Sequence, residues 1–218
     1  MFDFLGSHPL LPDTPRLLSF ALASFALNIM PGADMTFVAA TTARGGARNG
    51  VAAALGVGAG SLVHLTAAVV GLSALIAASQ TAFMILKWVG AAYLIYIAIG
   101  MLRGGSSQAK VSDPPRSAVA LFRSGAMVNI MNPKVGLFFI AFLPQFVDHL
   151  PKVAAVQTFL LGLWFNGCGT IVLVIVALVT ARATAGLRGV KAAGQAARWL
   201  AATIMGALAV KLVTSDNR

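Results

Sequence analysis

The sequence predicts an all-α polytopic membrane protein: six transmembrane helices arranged as two inverted three-helix repeats, with helices 1 and 4 broken. Three observations lead there. Of 218 residues, 58% are hydrophobic and only 10% charged, and the mean hydropathy is +0.85. A soluble domain carries about 25% charged residues, so this chain cannot cover a water-facing surface. Several apolar runs reach the ~20 residues that a helix needs to cross a bilayer. Two of these runs are interrupted alike, by Asn28-Ile29-Met30-Pro31-Gly32-Ala33-Asp34 and by Asn129-Ile130-Met131-Asn132-Pro133-Lys134.

The expected spans are Leu17–Thr41, Gly50–Ala77, Ala82–Leu102, Phe122–Val147, Val153–Thr180 and Ala197–Val213. Residues 1–16, with Pro9, Pro12 and Pro15 and no basic start, read as an N-terminal extension rather than a cleavable leader. The connection at 103–121, containing Gly104-Gly105-Ser106-Ser107 and Pro114-Pro115, divides a first repeat at 17–102 from a second at 122–218. Ten basic residues fall in the 1–2, 3–4 and 5–6 connections, among them Arg44, Arg48, Arg103, Lys110, Arg182 and Lys191. The other side has Arg16, Lys87, Lys152, Lys211 and Arg218. Positive-inside logic puts the basic connections in the cytoplasm and both termini outside. Three spans are an odd number, so a repeated unit inverts, a recurring plan among alternating-access transporters.

Pro31 with Gly32, and Pro133, remove backbone donors in mid-span, and the freed carbonyls must then face protein or a water-filled cavity. Such paired interruptions point to a transport site, whereas a plain proline kink would not call for a charge beside it. Asp34 is the only acid in any span, and an ionisable group at that depth marks function. It can hold a substrate ammonium, carry a coupling proton, or pair structurally with Lys134. Lys134 can meet a substrate carboxylate, pair with Asp34, or snorkel to the interface. Asn28, Asn129 and Asn132 can serve the freed backbone, the substrate, or interhelical bonding. His64 reads as a proton relay or, more often for such residues, as a packing histidine.

Gly56 and Gly60, and Gly162 and Gly167, are expected to let helices pack closely. Gly56-Val57-Gly58-Ala59-Gly60 lacks the strand-turn-helix setting of a nucleotide loop. Cys168 stands alone, so no internal disulfide forms. The net charge of +10 lies in short connections without stacking aromatics, which argues against nucleic acid. An intramembrane enzyme fails on residue count: one buried acid excludes an aspartyl dyad, and one cysteine excludes a dithiol carrier. No metal or cofactor is expected. A non-transporting scaffold would explain the spans but not the charged breaks.

These residues are similar to the LysE/RhtB family of bacterial inner-membrane amino-acid exporters through almost the whole chain. The resemblance rests on Pro31-Gly32-Ala33-Asp34, on Asn132-Pro133-Lys134, and on the run Phe138-Phe139-Ile140-Ala141-Phe142-Leu143-Pro144-Gln145-Phe146-Val147. Arg44-Gly45, Gly50, the stretch from Gly56 to His64, and Gly90-Ala91-Ala92-Tyr93-Leu94 add to it. Ala33 stands where members commonly have a second proline. The resemblance implies export of amino acids or close derivatives, generally coupled to protons, from an inner membrane with both termini periplasmic. It places Asp34, Asn132, Pro133 and Lys134 at the family's motif positions. The expected partners are an amino-acid substrate, protons and the bilayer, and the sequence leaves a homo-oligomer open.

Overall fold

The first helix begins where a side chain can close its open end. Asp13 caps α1 (Thr14–Ile29) by accepting from the Arg16 N–H at 3.2 Å, and Pro15 fits the first turn, where its missing N–H costs nothing. The helix thus starts three residues before the expected span. It stops at Ile29 because Pro31 forces the residue before it out of the helical region, and Met30 is extended at φ −69°, ψ 123°. α2 (Ala33–Ala78) then resumes, interrupted only at Gly46, whose φ of 78° favours glycine. A Cβ at Gly50 would collide with the Thr42 hydroxyl, so the chain doubles back at Gly46 and the two arms of α2 lie side by side. The break at 30–32 therefore lies between α1 and the first arm of α2.

This computed structural model describes residues 10–79, 117–148 and 150–185, together with 81, 85, 88, 92 and 99 as single helical positions. The expected span Ala82–Leu102 apart from those single positions, the whole of Ala197–Val213, and most of the 103–121 connection lie outside the described residues. Ser117 caps α3 (Ala118–Ile130) through the Ala120 N–H at 3.1 Å. Asn132, again the residue before a proline, is extended, and α4 (Pro133–Leu137) follows. The chain continues through a π turn (Phe138–Phe142) and a 3-10 turn (Leu143–Phe146) before α5 (Pro151–Ala185). Every regular element among the described residues is helical, and none of them is a strand. Ala33–Gly71 and Val153–Thr184 are long and apolar enough to cross a membrane, and Ala118–Ile130 with Pro133–Phe146, bent by 51°, forms a third candidate.

The second arm of α2 is central, packing against α3 on one side and α5 on another. Its contact with α3 is made at backbone level: a Cβ on Gly56 would strike the Phe122 carbonyl, one on Gly60 the Ala126 carbonyl, and one on Gly125 the Ala53 carbonyl. Gly162 of α5 likewise faces Leu65 and Phe139, whereas Gly167 is exposed and has open space at its Cβ position. A phenylalanine cluster joins α1, the π and 3-10 turns and α5; Phe138 stacks on Phe165 at 4.1 Å, and Phe20 meets Phe146 edge-on at 5.4 Å. Leu18, Leu22 and Phe25 of α1 and Leu163, Ile171 and Ile175 of α5 point outward, as lipid-facing side chains do. At the end opposite the Gly46 turn, Arg16 pairs with Asp148 at 3.2 Å. The buried Gln157 holds Asp148 from within, donating to its carboxylate and accepting from its N–H, both at 2.9 Å.

The α2–α3 seam predicts a sharp positional contrast. Gly60→Ala and Gly125→Ala should each destabilise the detergent-solubilised protein by about 1–3 kcal/mol, the usual cost of overpacking. Gly167→Ala should be neutral. Thermal unfolding of the three variants beside the parent checks this, and equal loss at Gly167 would contradict it.

Candidate functional site

The two breaks meet, and each satisfies the other. Asp34, in the first turn of α2, is 8% exposed, and its Oδ2 accepts from Asn129 Nδ2 at 3.0 Å and Asn132 Nδ2 at 2.9 Å. Lys134, in the first turn of α4, sends its ammonium the other way and donates to the Leu27 and Met30 carbonyls at 3.3 Å each. Those carbonyls close the C-terminal end of α1, where a cation is favoured by the helix dipole. Asn132 works at both ends of its amide: Oδ1 caps α4 by accepting from the Lys134 N–H at 3.0 Å, while Nδ2 serves Asp34. Gly32 makes room for Lys134, since a Cβ there would lie 3.2 Å from its Nζ.

Asp34 and Lys134 therefore do not form a direct ion pair: the carboxylate is held by amides and the ammonium by carbonyls. Lys134 also does not snorkel, because its side chain turns inward to α1. Asn28, at the last turn of α1, donates to the Phe165 carbonyl of α5 at 3.2 Å. His64 stands beside the site without touching Asp34. Its Nε2–H donates to the Asn129 carbonyl at 3.0 Å, its ring stacks on Phe139, and Gly136 leaves space for it. Pro31 and Pro133 mark the two chain interruptions.

Between the breaks and α5 lies a cavity of about 40 Å³, room for a few water molecules. Asp34 and Lys134 are the charged residues on its wall, and Asn28, Ser61 and Asn129 also reach it. Three buried polar atoms of these residues have no hydrogen-bond partner: Asp34 Oδ1, Asn129 Oδ1 and Ser61 Oγ. Two are pure acceptors and one is a hydroxyl, so the cavity is short of donors. Lys134 has used two of its three N–H groups. The arrangement can take up a group rich in N–H, such as an ammonium, with one cationic donor left for an anion. Asn166 and Thr170 also line the cavity, although the sequence alone does not single them out. The signal available was a pair of polar residues four apart, hence on one helix face, inside an otherwise apolar α5.

The sequence matches the LysE type translocator family over residues 25–216, which includes both breaks and the residues of the cavity wall. The chain is 33% identical over 175 residues to the homoserine/homoserine lactone efflux protein of Salmonella typhimurium, across 79% of this chain and 84% of that protein. It is 34% identical over 166 residues to the membrane protein YrhP of Bacillus subtilis, across 68% of this chain and 79% of that one. A membrane protein of Pseudomonas aeruginosa is 36% identical over 138 residues, across 60% of this chain and 63% of its own length, just under two thirds. No solved structure matches the chain. The chain belongs to the LysE type translocator family, whose members are transporters and not enzymes.

Proposed function

We propose that the protein exports amino acids or close derivatives across the bacterial inner membrane by proton-coupled alternating access, with Asp34 and the Asn132-Pro133-Lys134 break at a midplane site. The observation that carries this reading is the cavity's set of unpartnered acceptors around one buried carboxylate. An α-ammonium has three N–H groups to offer Asp34 Oδ1, Asn129 Oδ1 and Ser61 Oγ. The remaining N–H of Lys134 suits an α-carboxylate. The efflux relative in Salmonella typhimurium supports a cargo of amino-acid type. The reading requires six spans in two inverted repeats with both termini periplasmic, which the distribution of basic residues favours.

The same geometry supplies a reason for proton exchange. The two amides hold Oδ2 as an acceptor, which leaves Oδ1 as the buried carboxylate atom without a partner. A proton on Oδ1 neutralises the carboxylate and removes its hold on the ammonium, so proton and cargo compete for one atom. The cavity is too small for a whole amino acid, so loading requires the walls to part, as alternating access demands. Under the positive-inside orientation the Arg16–Asp148 pair lies on the extracytoplasmic side and helps to close it.

Hydrogen bonds to charged groups contribute about 1.5–3 kcal/mol, so Asp34→Asn at equal membrane abundance should lower export by roughly 10- to 150-fold and remove its dependence on an imposed pH gradient. Proteoliposome efflux over a panel of amino acids measures both, and unchanged export by the variant would sink the role of Asp34. Separating the outer pair should have a smaller effect, since exposed ion pairs are worth up to about 1 kcal/mol. In a Cys168→Ser background, Asp148→Ala should speed labelling of Val57→Cys by an impermeant maleimide from outside by up to about fivefold. No change in that rate would remove Asp148 from the closure.

A further inference from the structure

Pro133 takes a hydrogen bond away from one particular carbonyl. In an uninterrupted helix the Asn129 C=O would accept from the N–H four positions on, and at that position proline has none to give. The Asn132 N–H turns back to this oxygen at 2.8 Å, and His64 Nε2, from the second arm of α2, approaches it at 3.0 Å. A carbonyl oxygen has two acceptor sites and no proton, so the ring donates here and carries its proton on Nε2. The same ring also reaches past the break. Gly136 leaves it a slot, since a Cβ there would lie 3.2 Å from His64 Cε1, and Phe139 stacks on it at 6.3 Å with 16° between the planes. His64 thus touches both limbs of the 51° bend between Ala118–Ile130 and Pro133–Phe146.

What His64 holds is the backbone of one of the two amides on the buried carboxylate. Asn129 is 2% exposed, and its Nδ2 meets Asp34 Oδ2 at 3.0 Å beside Asn132 Nδ2 at 2.9 Å. Two donors from opposite sides of the break converge on one oxygen only while the bend keeps its angle. A proton relay through His64 would need a base at Nε2 and a path to Asp34. The ring instead faces a carbonyl, which takes up no proton, and makes no hydrogen bond to Asp34. Its bond to Asn129 also survives titration, because Nε2 keeps its proton in the imidazolium as in the neutral ring bonded here. We propose that His64 is a positioning residue that replaces the donor lost at Pro133 and so keeps the Asn129 amide on the carboxylate that receives cargo. Its effect on cargo rests on the export reading above.

Proteoliposome efflux over the same amino-acid panel tests this with two variants. His64→Gln keeps an N–H donor but has no titratable group, whereas His64→Phe keeps a ring against Phe139 but has no donor. At equal membrane abundance, His64→Gln should stay within ~2-fold of the parent's half-saturation concentration and keep the dependence on an imposed pH gradient, while His64→Phe should raise that concentration roughly 3- to 10-fold. Loss of the pH-gradient dependence in His64→Gln would make His64 a relay and overturn the proposal. Parent-like half-saturation in His64→Phe would overturn it too, as would a fall in maximal rate alone in both variants, which is what a packing role gives. A spectroscopic readout does not depend on transport. With His8→Gln and His149→Gln leaving one histidine, nitrogen NMR of the neutral ring should find the proton on Nε2, and a proton on Nδ1 would overturn the bond to Asn129. A parent that moves no amino acid would overturn the export reading and the positioning role together, whereas a parent-like His64→Phe would overturn the positioning role alone.

Discussion

The structure depends on the exchange of hydrogen bonds between two interrupted helices. A proline in a membrane-length helix strips carbonyls of their partners, and in a low-dielectric interior each bare group costs several kcal/mol unless protein or water supplies a bond. Each break supplies only part of its own need, as where the Asn132 N–H returns to the Asn129 carbonyl. The end of α1 is closed by a lysine from α4, and the acid that opens α2 is held by two asparagines, Asn129 near the end of α3 and Asn132, the cap of α4. The positions of α1, of both arms of α2 and of α3 and α4 are thereby tied to one another. The glycine contacts of α2 with α3 bring the helix ends close enough for these short bonds to form.

The two breaks are alike in sequence but different in chemistry. In the first, proline follows methionine directly, and α2 starts with no side-chain cap from its own break. In the second, Asn132 is inserted and caps α4 while its other end reaches Asp34. The extra residue makes the segments complementary instead of identical. Two copies of the first would place two carboxylates together, and two copies of the second would place two ammonium groups together. Dividing acid and base between them gives a buried charge set that is bonded throughout except where it faces the cavity.

Much of this was legible in the sequence because it follows from chain chemistry. Pro31 and Pro133 stop helices wherever they occur, Gly45-Gly46 between two arginines marks a reversal, and the spacing of Gly56 and Gly60 foretells a close helix neighbour. The partners were not legible. Asp34 and Lys134 invite pairing on charge alone, yet the lysine reaches back to carbonyls and the acid is served by amides, because the approach angle of the two breaks decides which atoms meet. That angle is set by residues far away in the chain, including the phenylalanine cluster. The π turn at 138–142 also escaped the sequence reading, since Phe-Phe-Ile-Ala-Phe reads as ordinary helix. Asn166 and Thr170 were passed over because each alone resembles interhelical glue, and their meaning comes from the cavity they share.

The backbone contact between α2 and α3 has a mechanical consequence. Where the Gly60 and Gly125 backbones meet carbonyls directly, no layer of side chains lies between the helices, and there are no rotamers to yield when one helix is pushed past the other. That seam is stiff, and the two helices travel as one body. The seam of α1 with the 3-10 turn and α5 is filled by phenylalanine rings, which can tilt and slide at modest cost, and its outer end is held by the exposed Arg16–Asp148 pair. Compliance is therefore unevenly distributed, and the cavity lies next to the seam best able to give.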